Sequence, residues 1–160
     1  MTNRGRKPRG RRNTGGPLNP RSWNATHLPA RITTGAFILN SGYTKRGADE
    51  DTAGQLHGFA AGTYPQLKKV EPRTFVRLLS AGEMVLGTAL LVPVIPSAVA
   101  GAGLAAFSAG LLGLYVRTPG MRREGSIRPT EEGLSLAKDV WMLGIGASLV
   151  LDDVVARRRR

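Results

Sequence analysis

Cysteine is absent from this 160-residue chain. That excludes disulfides, thiolate nucleophiles and Cys-ligated metals, and it leaves the redox compartment unmarked. Histidine occurs only twice, as His27 and His57. With so few bases and no thiol, a self-sufficient acid–base–nucleophile set is not expected, and no metal site is spelled out by spacing. No secretory signal peptide is expected either, because the basic start is not followed by a short apolar core and a small-residue cleavage site. The largest absence is local. From Met84 to Val116 the chain holds no charged residue, no Asn, no Gln and no His.

What fills that stretch is Leu, Val, Ala and Gly, interrupted by Pro93 and Pro96. As one helix its 33 residues would run about 50 Å at roughly 1.5 Å per residue, against a bilayer core of about 30 Å. The two prolines disfavour an unbroken helix. The pattern predicts a membrane helical hairpin, with one helix ending near Val92, a Pro-Val-Ile-Pro turn, and a second from Ser97 to about Tyr115.

The 23 Lys and Arg exceed the 11 Asp and Glu, giving a net charge of +12. Twelve of those basic residues lie in the first 31 and last four positions. In a soluble protein this balance points to nucleic acid. In a membrane protein it first marks topology and attraction to anionic headgroups. Residues 1–29 are rich in Gly, Pro, Arg and Asn and poor in apolar side chains, so a disordered basic tail is expected there. No aromatic is interleaved with the first 22 residues to stack on bases, which argues against nucleic acid. The Asn24-Ala25-Thr26 sequon has no role in a cytoplasmic tail.

The fold class expected is an all-α membrane protein, a four-helix transmembrane bundle over residues 30–156, with spans near 28–43, 74–92, 97–116 and 133–154 and a basic tail at 157–160. The first span is short and carries Thr33, Thr34, Asn40 and Ser41, which suit helix packing across lipid. Arg31 and Lys45 at its ends are placed to snorkel. Between it and the next span, Leu56, Phe59 and Ala60 fall on one face of a short helix that Pro65 ends. His57 reads as a surface or packing residue rather than a ligand. In the third span Ala98, Ala102, Ala106 and Gly110 recur every four residues, a spacing that lets helices approach closely. Thr130 is a candidate N-cap for the fourth. Four crossings put both termini and the proline turn on one side. The 12 basic residues at the ends, against nine in the two polar connections, place that side in the cytoplasm.

Four charges fall inside or close to the spans: Arg77, Glu83, Lys138 and Asp139. A charge at the centre of a membrane helix costs about 2.5 to 3.5 kcal/mol on insertion scales, so each needs a partner or water. Glu83 and Lys138 are expected at compatible depths and therefore in contact, with Arg77 and Asp139 nearby. Lys138 and Asp139 are adjacent and point about 100° apart on a helix, so they cannot both face one partner. The cluster reads either as an ion pair that fixes helix register or as a polar pocket lined by Trp141 and Lys45. No residue is assigned a catalytic or metal-binding role.

The order of features, with ILNSGYTKRG closing the first helix, HGFAAGTYPQLKKVEPRTF as connection, RLLSAGEMVLGTALL as second helix, a Gly/Ala-rich third and AKDVWMLGIG in the fourth, resembles the DoxX family of small bacterial four-helix membrane proteins. The resemblance covers about residues 30–154. It implies the bacterial cytoplasmic membrane, and an anchor or accessory subunit of a membrane-associated redox assembly. Lys45, Arg77, Glu83 and Lys138-Asp139 match the family's polar pattern. Thiol chemistry attributed to relatives has no counterpart in a chain without Cys. A quinone-binding subunit and a small transporter remain alternatives. The expected partners are the bilayer, anionic headgroups at the basic tails and another protein subunit, with oligomerisation through small-residue helix faces. Quinone is the one cofactor in view, and only on the quinone-binding alternative.

Overall fold

The computed structural model describes residues 25–158. A 3-10 turn at Ala25–His27 leads into α1 (Leu28–Lys45). It is followed by α2 (Glu50–Thr63), a 3-10 segment at Pro65–Lys69, α3 (Pro72–Leu91), α4 (Ser97–Arg117), α5 (Leu134–Ala137) and α6 (Asp139–Arg158). The described residues contain no strand beyond one isolated bridge, Arg122 to Pro129. The expected tail at 1–29 is corrected at its end, because Ala25–His27 and the first turn of α1 are helical. The remainder of that tail, with its Arg-Gly runs and Asn24, lies outside the described residues. At the other end α6 continues through Arg158, so the expected tail at 157–160 begins inside a helix.

Three helical segments are long and apolar enough to cross a membrane: Pro72–Leu91, Ser97–Arg117 and Leu134–Val155. The last joins α5 and α6 across a break at Lys138. At 18 residues α1 is about 27 Å long, but Arg31, Asn40, Lys45 and its hydroxyls dilute its apolar content, and it is not among the three. The architecture is all-helical, and beside its apolar core it both buries polar side chains and exposes large apolar ones. Arg31, Thr34, Ser80, Glu83, Ser97 and Ser108 are buried. Phe37, Leu78, Val85, Val99 and Trp141 point outward with 63–70% of their surface free. So much outward apolar surface spread over long helices is what lipid, not water, tolerates.

Helix ends explain themselves locally. The Asp49 carboxylate accepts from the Thr52 N–H to start α2. The Glu71 carboxylate accepts from the Arg73 and Thr74 N–H groups to start α3, with Pro72 at its first position. These bonds hold both carboxyls below the usual carboxylate range: for Glu71 the largest cause is the Thr74 backbone N–H, for Asp49 hydrogen bonding from Thr52. Because the folded-state values are depressed, each cap's contribution is complete above the unfolded carboxyl range of about 4 and is lost as pH falls through the lower folded value. Acidifying detergent-solubilised protein from about pH 5 to pH 3 is therefore expected to fray the first turn of α3. NMR of the Arg73 and Thr74 amides reads this directly, and in Glu71→Gln the pH dependence should vanish.

The far end of α3 is closed by a residue from another helix. The buried Arg31 guanidinium donates through Nε to Leu90 O, through Nη1 to Ile95 O and Ser97 Oγ, and through Nη2 to Ala89 O and Val92 O. Arg31 therefore does not snorkel outward as expected. It occupies the last free carbonyls of α3, where the negative end of the helix dipole favours a cation. Beside it His27 bonds Ser97 Oγ at 3.3 Å and Asp152 Oδ2 at 2.6 Å. The start of α1, the 93–96 turn and the late part of α6 thus meet at one end of the bundle.

Most interhelical packing falls within two antiparallel pairs, α1 with α3 and α4 with α6, while α3 and α4 touch little. Each pair crosses on glycines. A Cβ on Gly87 would lie 2.6 Å from Leu39 N and 2.8 Å from Gly35 O, and one on Gly101 would lie 2.6 Å from Leu149 Cβ. Ile38, Leu90, Ala100, Leu104 and Leu149 form the apolar core where the pairs meet. Since Gly87 faces backbone rather than a flexible side chain, Gly87→Ala should force α1 away from α3 at a cost of about 1 to 3 kcal/mol. A thermal melt in detergent checks this, and an unchanged midpoint would contradict the crossing geometry.

Candidate functional site

One turn before α1 ends, Ser41 and Lys45 sit at i and i+4 and face α3. Gly42 between them lets the two backbones approach. A Cβ there would lie 2.8 Å from Ser80 O and 2.9 Å from Glu83 Cβ. Ser80 Oγ donates back to Gly42 O at 2.7 Å. In the space so created, Lys45 Nζ lies 3.0 and 2.9 Å from the two Glu83 carboxylate oxygens and 2.7 Å from Ser41 Oγ. The Glu83 side chain is 6% exposed and that of Lys45 21%.

This ion pair forms part of the wall of a cavity of about 410 Å³. Leu56, Phe59 and Ala60 of α2 line it, the face read from the sequence as amphipathic. Phe107 and Leu111 come from α4, and Asp139 and Met142 from the start of α6. The lining is overwhelmingly apolar, with charge only at Lys45, Glu83 and Asp139. A second, more open depression of about 440 Å³ lies between α3 and α4 and shares Leu79, Glu83 and Phe107 with the first. Gly82, Ala89, Ala100 and Gly103 are among its lining and leave it unfilled by side chains.

The structure corrects the expected pairing. Glu83 is bound by Lys45, not by Lys138. Asp139 faces the cavity, so its neighbour Lys138 is turned away and is exposed. Trp141 is two positions beyond Asp139, about 200° around the helix, and is 70% exposed. It does not line the cavity, and Met142 takes that place. Arg77 is exposed on the outer side of α3 and forms no ion pair with Glu83. The Thr33 and Thr34 hydroxyls turn back to carbonyls of their own helix instead of reaching a neighbour. His57 packs edge-on against Phe75, with ring centroids 5.5 Å apart, and donates from Nε2 to Leu67 O. Thr130 Oγ1 accepts from the Gly133 N–H in the turn ahead of α5, but the N-cap position itself is Gly133, which corrects the expected cap.

Sequence reasoning missed Arg31 and Ser41 as members of polar clusters. Arg31 is bonded mostly to backbone carbonyls, which every sequence possesses, so no partner residue signals it. Ser41 has a readable signal, its i, i+4 relation to Lys45.

Comparison of the chain with protein-family models, with curated proteins and with solved structures finds no match.

Proposed function

We propose that the protein is a multi-pass membrane protein that holds a lipophilic molecule with a hydrogen-bonding head, of the quinone class, in the cavity beside Lys45 and Glu83. The observation that carries this reading is a buried ion pair opening onto an otherwise apolar cavity of about 410 Å³. That size and polarity suit a ring with a few polar atoms and an apolar tail. Lys45 donates to a carbonyl oxygen of the head in place of one of its two bonds to Glu83, and the other bond holds it in place. The α3–α4 depression, which meets the cavity at Leu79, Glu83 and Phe107, offers the tail a lateral way to lipid. On this reading all four long helices cross the bilayer. Burial of the Arg31 charge against α3 lets the less apolar α1 do so. The ends and the 93–96 turn lie on the cytoplasmic side of a bacterial membrane. The likeness to DoxX proteins adds the context of a redox assembly in which this chain is an accessory subunit.

The decisive experiment is purification in mild detergent, extraction and identification of bound lipophiles, and titration with a decyl-tailed benzoquinone. Saturable binding is expected in the natural protein. In Lys45→Met/Glu83→Leu it should weaken about tenfold or more, because a charge-assisted hydrogen bond contributes about 1.5 to 3 kcal/mol. No bound lipophile and identical titrations in the two proteins would refute the reading. A second reading, a protein-docking anchor, is favoured by Ala102, Ala106, Ala109 and Gly110 lying exposed along α4. It predicts a co-purifying subunit that Ala106→Leu releases.

A further inference from the structure

Helices α1 and α4 bury the same pattern. In α1 the buried residues are Arg31, Thr34, Gly35, Ile38 and Gly42. In α4 they include Ser97, Ala100, Gly101, Leu104 and Ser108, each 66 positions further on. The other two buried in α4, Leu114 and Tyr115, fall beyond the end of α1 in this register. The partner helices correspond at 59 positions for Gly87 with Gly146 and Leu90 with Leu149, while Val76, Ser80 and Glu83, also buried in α3, match Ser135, Asp139 and Met142, which are not buried.

The crossings repeat atom for atom. A Cβ on Gly87 would meet Gly35 O at 2.8 Å and the N of Leu39, four residues after Gly35, at 2.6 Å. One on Gly146 would meet Gly101 O at 2.7 Å and the N of Ala105, four residues after Gly101, at 2.7 Å. In the opposite direction Gly35 faces Gly87 O and Leu90 Cβ, both at 3.0 Å, and Gly101 faces Gly146 O at 2.7 Å and Leu149 Cβ at 2.6 Å. Both pairs are antiparallel. The starts of α1 and α4 meet through Arg31 and Ser97, 3.1 Å apart. The halves therefore run in the same sense and are related by rotation about an axis along the helices, the parallel kind of repeat.

We infer that the chain is a direct repeat of one helix pair with the cavity between its halves, and that Leu111 and Met142 are the counterparts of Lys45 and Glu83, forming the wall that receives a ligand's apolar part. In this register Ser41 corresponds to Phe107, Lys45 to Leu111 and Glu83 to Met142, and all six line the same cavity. One wall carries a hydroxyl and an ion pair. The equivalent wall carries a ring, an isobutyl group and a thioether, with Asp139, three residues before Met142, as its one charged group. An amphipathic ligand in such a cavity has one orientation, its head on Lys45–Glu83 and its apolar part on Leu111–Met142. The repeat itself stands on packing alone, whereas the ligand's orientation rests on the function proposed above.

The repeat is tested by a double-mutant cycle on the full chain in detergent. Met142→Glu and Leu111→Lys should each lower the melting temperature, and the double variant should recover most of the loss, because the register places the new pair as Lys45 and Glu83 are placed. A double variant as unstable as the summed singles overturns the inference. Should these variants fail to fold, spin labels on two engineered Cys pairs decide it, in a chain with no Cys of its own. The distances between positions 36 and 88 and between 102 and 147 should agree. A difference beyond one helical turn, about 5.4 Å, overturns the repeat.

For orientation, the decyl-tailed benzoquinone should bind the double variant at least tenfold more weakly than the natural protein. Coupling in the cycle with unchanged affinity would remove Leu111 and Met142 from the tail wall. Coupling with no benzoquinone binding to the natural protein would leave the repeat standing, refute the orientation and count against the proposed function.

Discussion

Arg31→Ala is expected to destabilise the protein by about 3 kcal/mol or more, the largest single effect in the molecule. Five N–H donors of one guanidinium serve four carbonyls and one hydroxyl. Removing them strands carbonyls at the end of α3 and in the 93–96 turn, of which Leu90 O is buried and the others partly so. Each buried group so abandoned costs roughly 1 to 3 kcal/mol. Arg31→Lys should recover only part of the loss. An ammonium offers three donors from one point and cannot span the carbonyls of Ala89 to Ile95 as the planar fork does. A thermal melt in detergent distinguishes the three proteins. If Arg31→Ala melts where the natural protein does, the guanidinium is not the cap that its geometry describes.

Glu83→Ala should be nearly as damaging, at about 3 kcal/mol, because it leaves the Lys45 ammonium beside an apolar cavity with only Ser41 for company. The contrast with the paired replacement carries the meaning. Lys45→Met/Glu83→Leu removes both charges together, and such replacements of buried ion pairs are often neutral or stabilising. The double variant is therefore expected to melt within a few degrees of the natural protein while losing the benzoquinone. Should both lose stability equally, the pair is a structural pin rather than a binding element.

The break was readable because prolines are explicit: Pro93 and Pro96 fall between Leu91 and Ser97, but the two helices they separate pack on α1 and α6 rather than on each other, unlike the expected hairpin. Glu83 was readable because an acid within an apolar helix must be answered. Its partner was not. Depth along a span says nothing of which helix lies alongside, and that choice was made by Gly42, whose missing side chain brings Lys45 to Glu83. Lys45, at the end of α1, looked like a snorkelling residue until the neighbouring backbone was in place. Trp141 was misjudged by counting along the chain rather than around the helix. The inferred repeat is not legible in the sequence because it is kept in backbone approach and burial. Gly35 and Gly101 are two among 21 glycines, and Arg31 and Ser97 share no chemistry that would align them.

The cap on α3 also has a bearing on how the chain is made. All of the groups that Arg31 bonds lie 58 to 66 residues downstream. During synthesis α1 therefore emerges before any of the groups that its cation bonds. The cap on α3 can close only once α3 and the proline corner have been translated, so the start of α1 is fixed late, together with the end of α3.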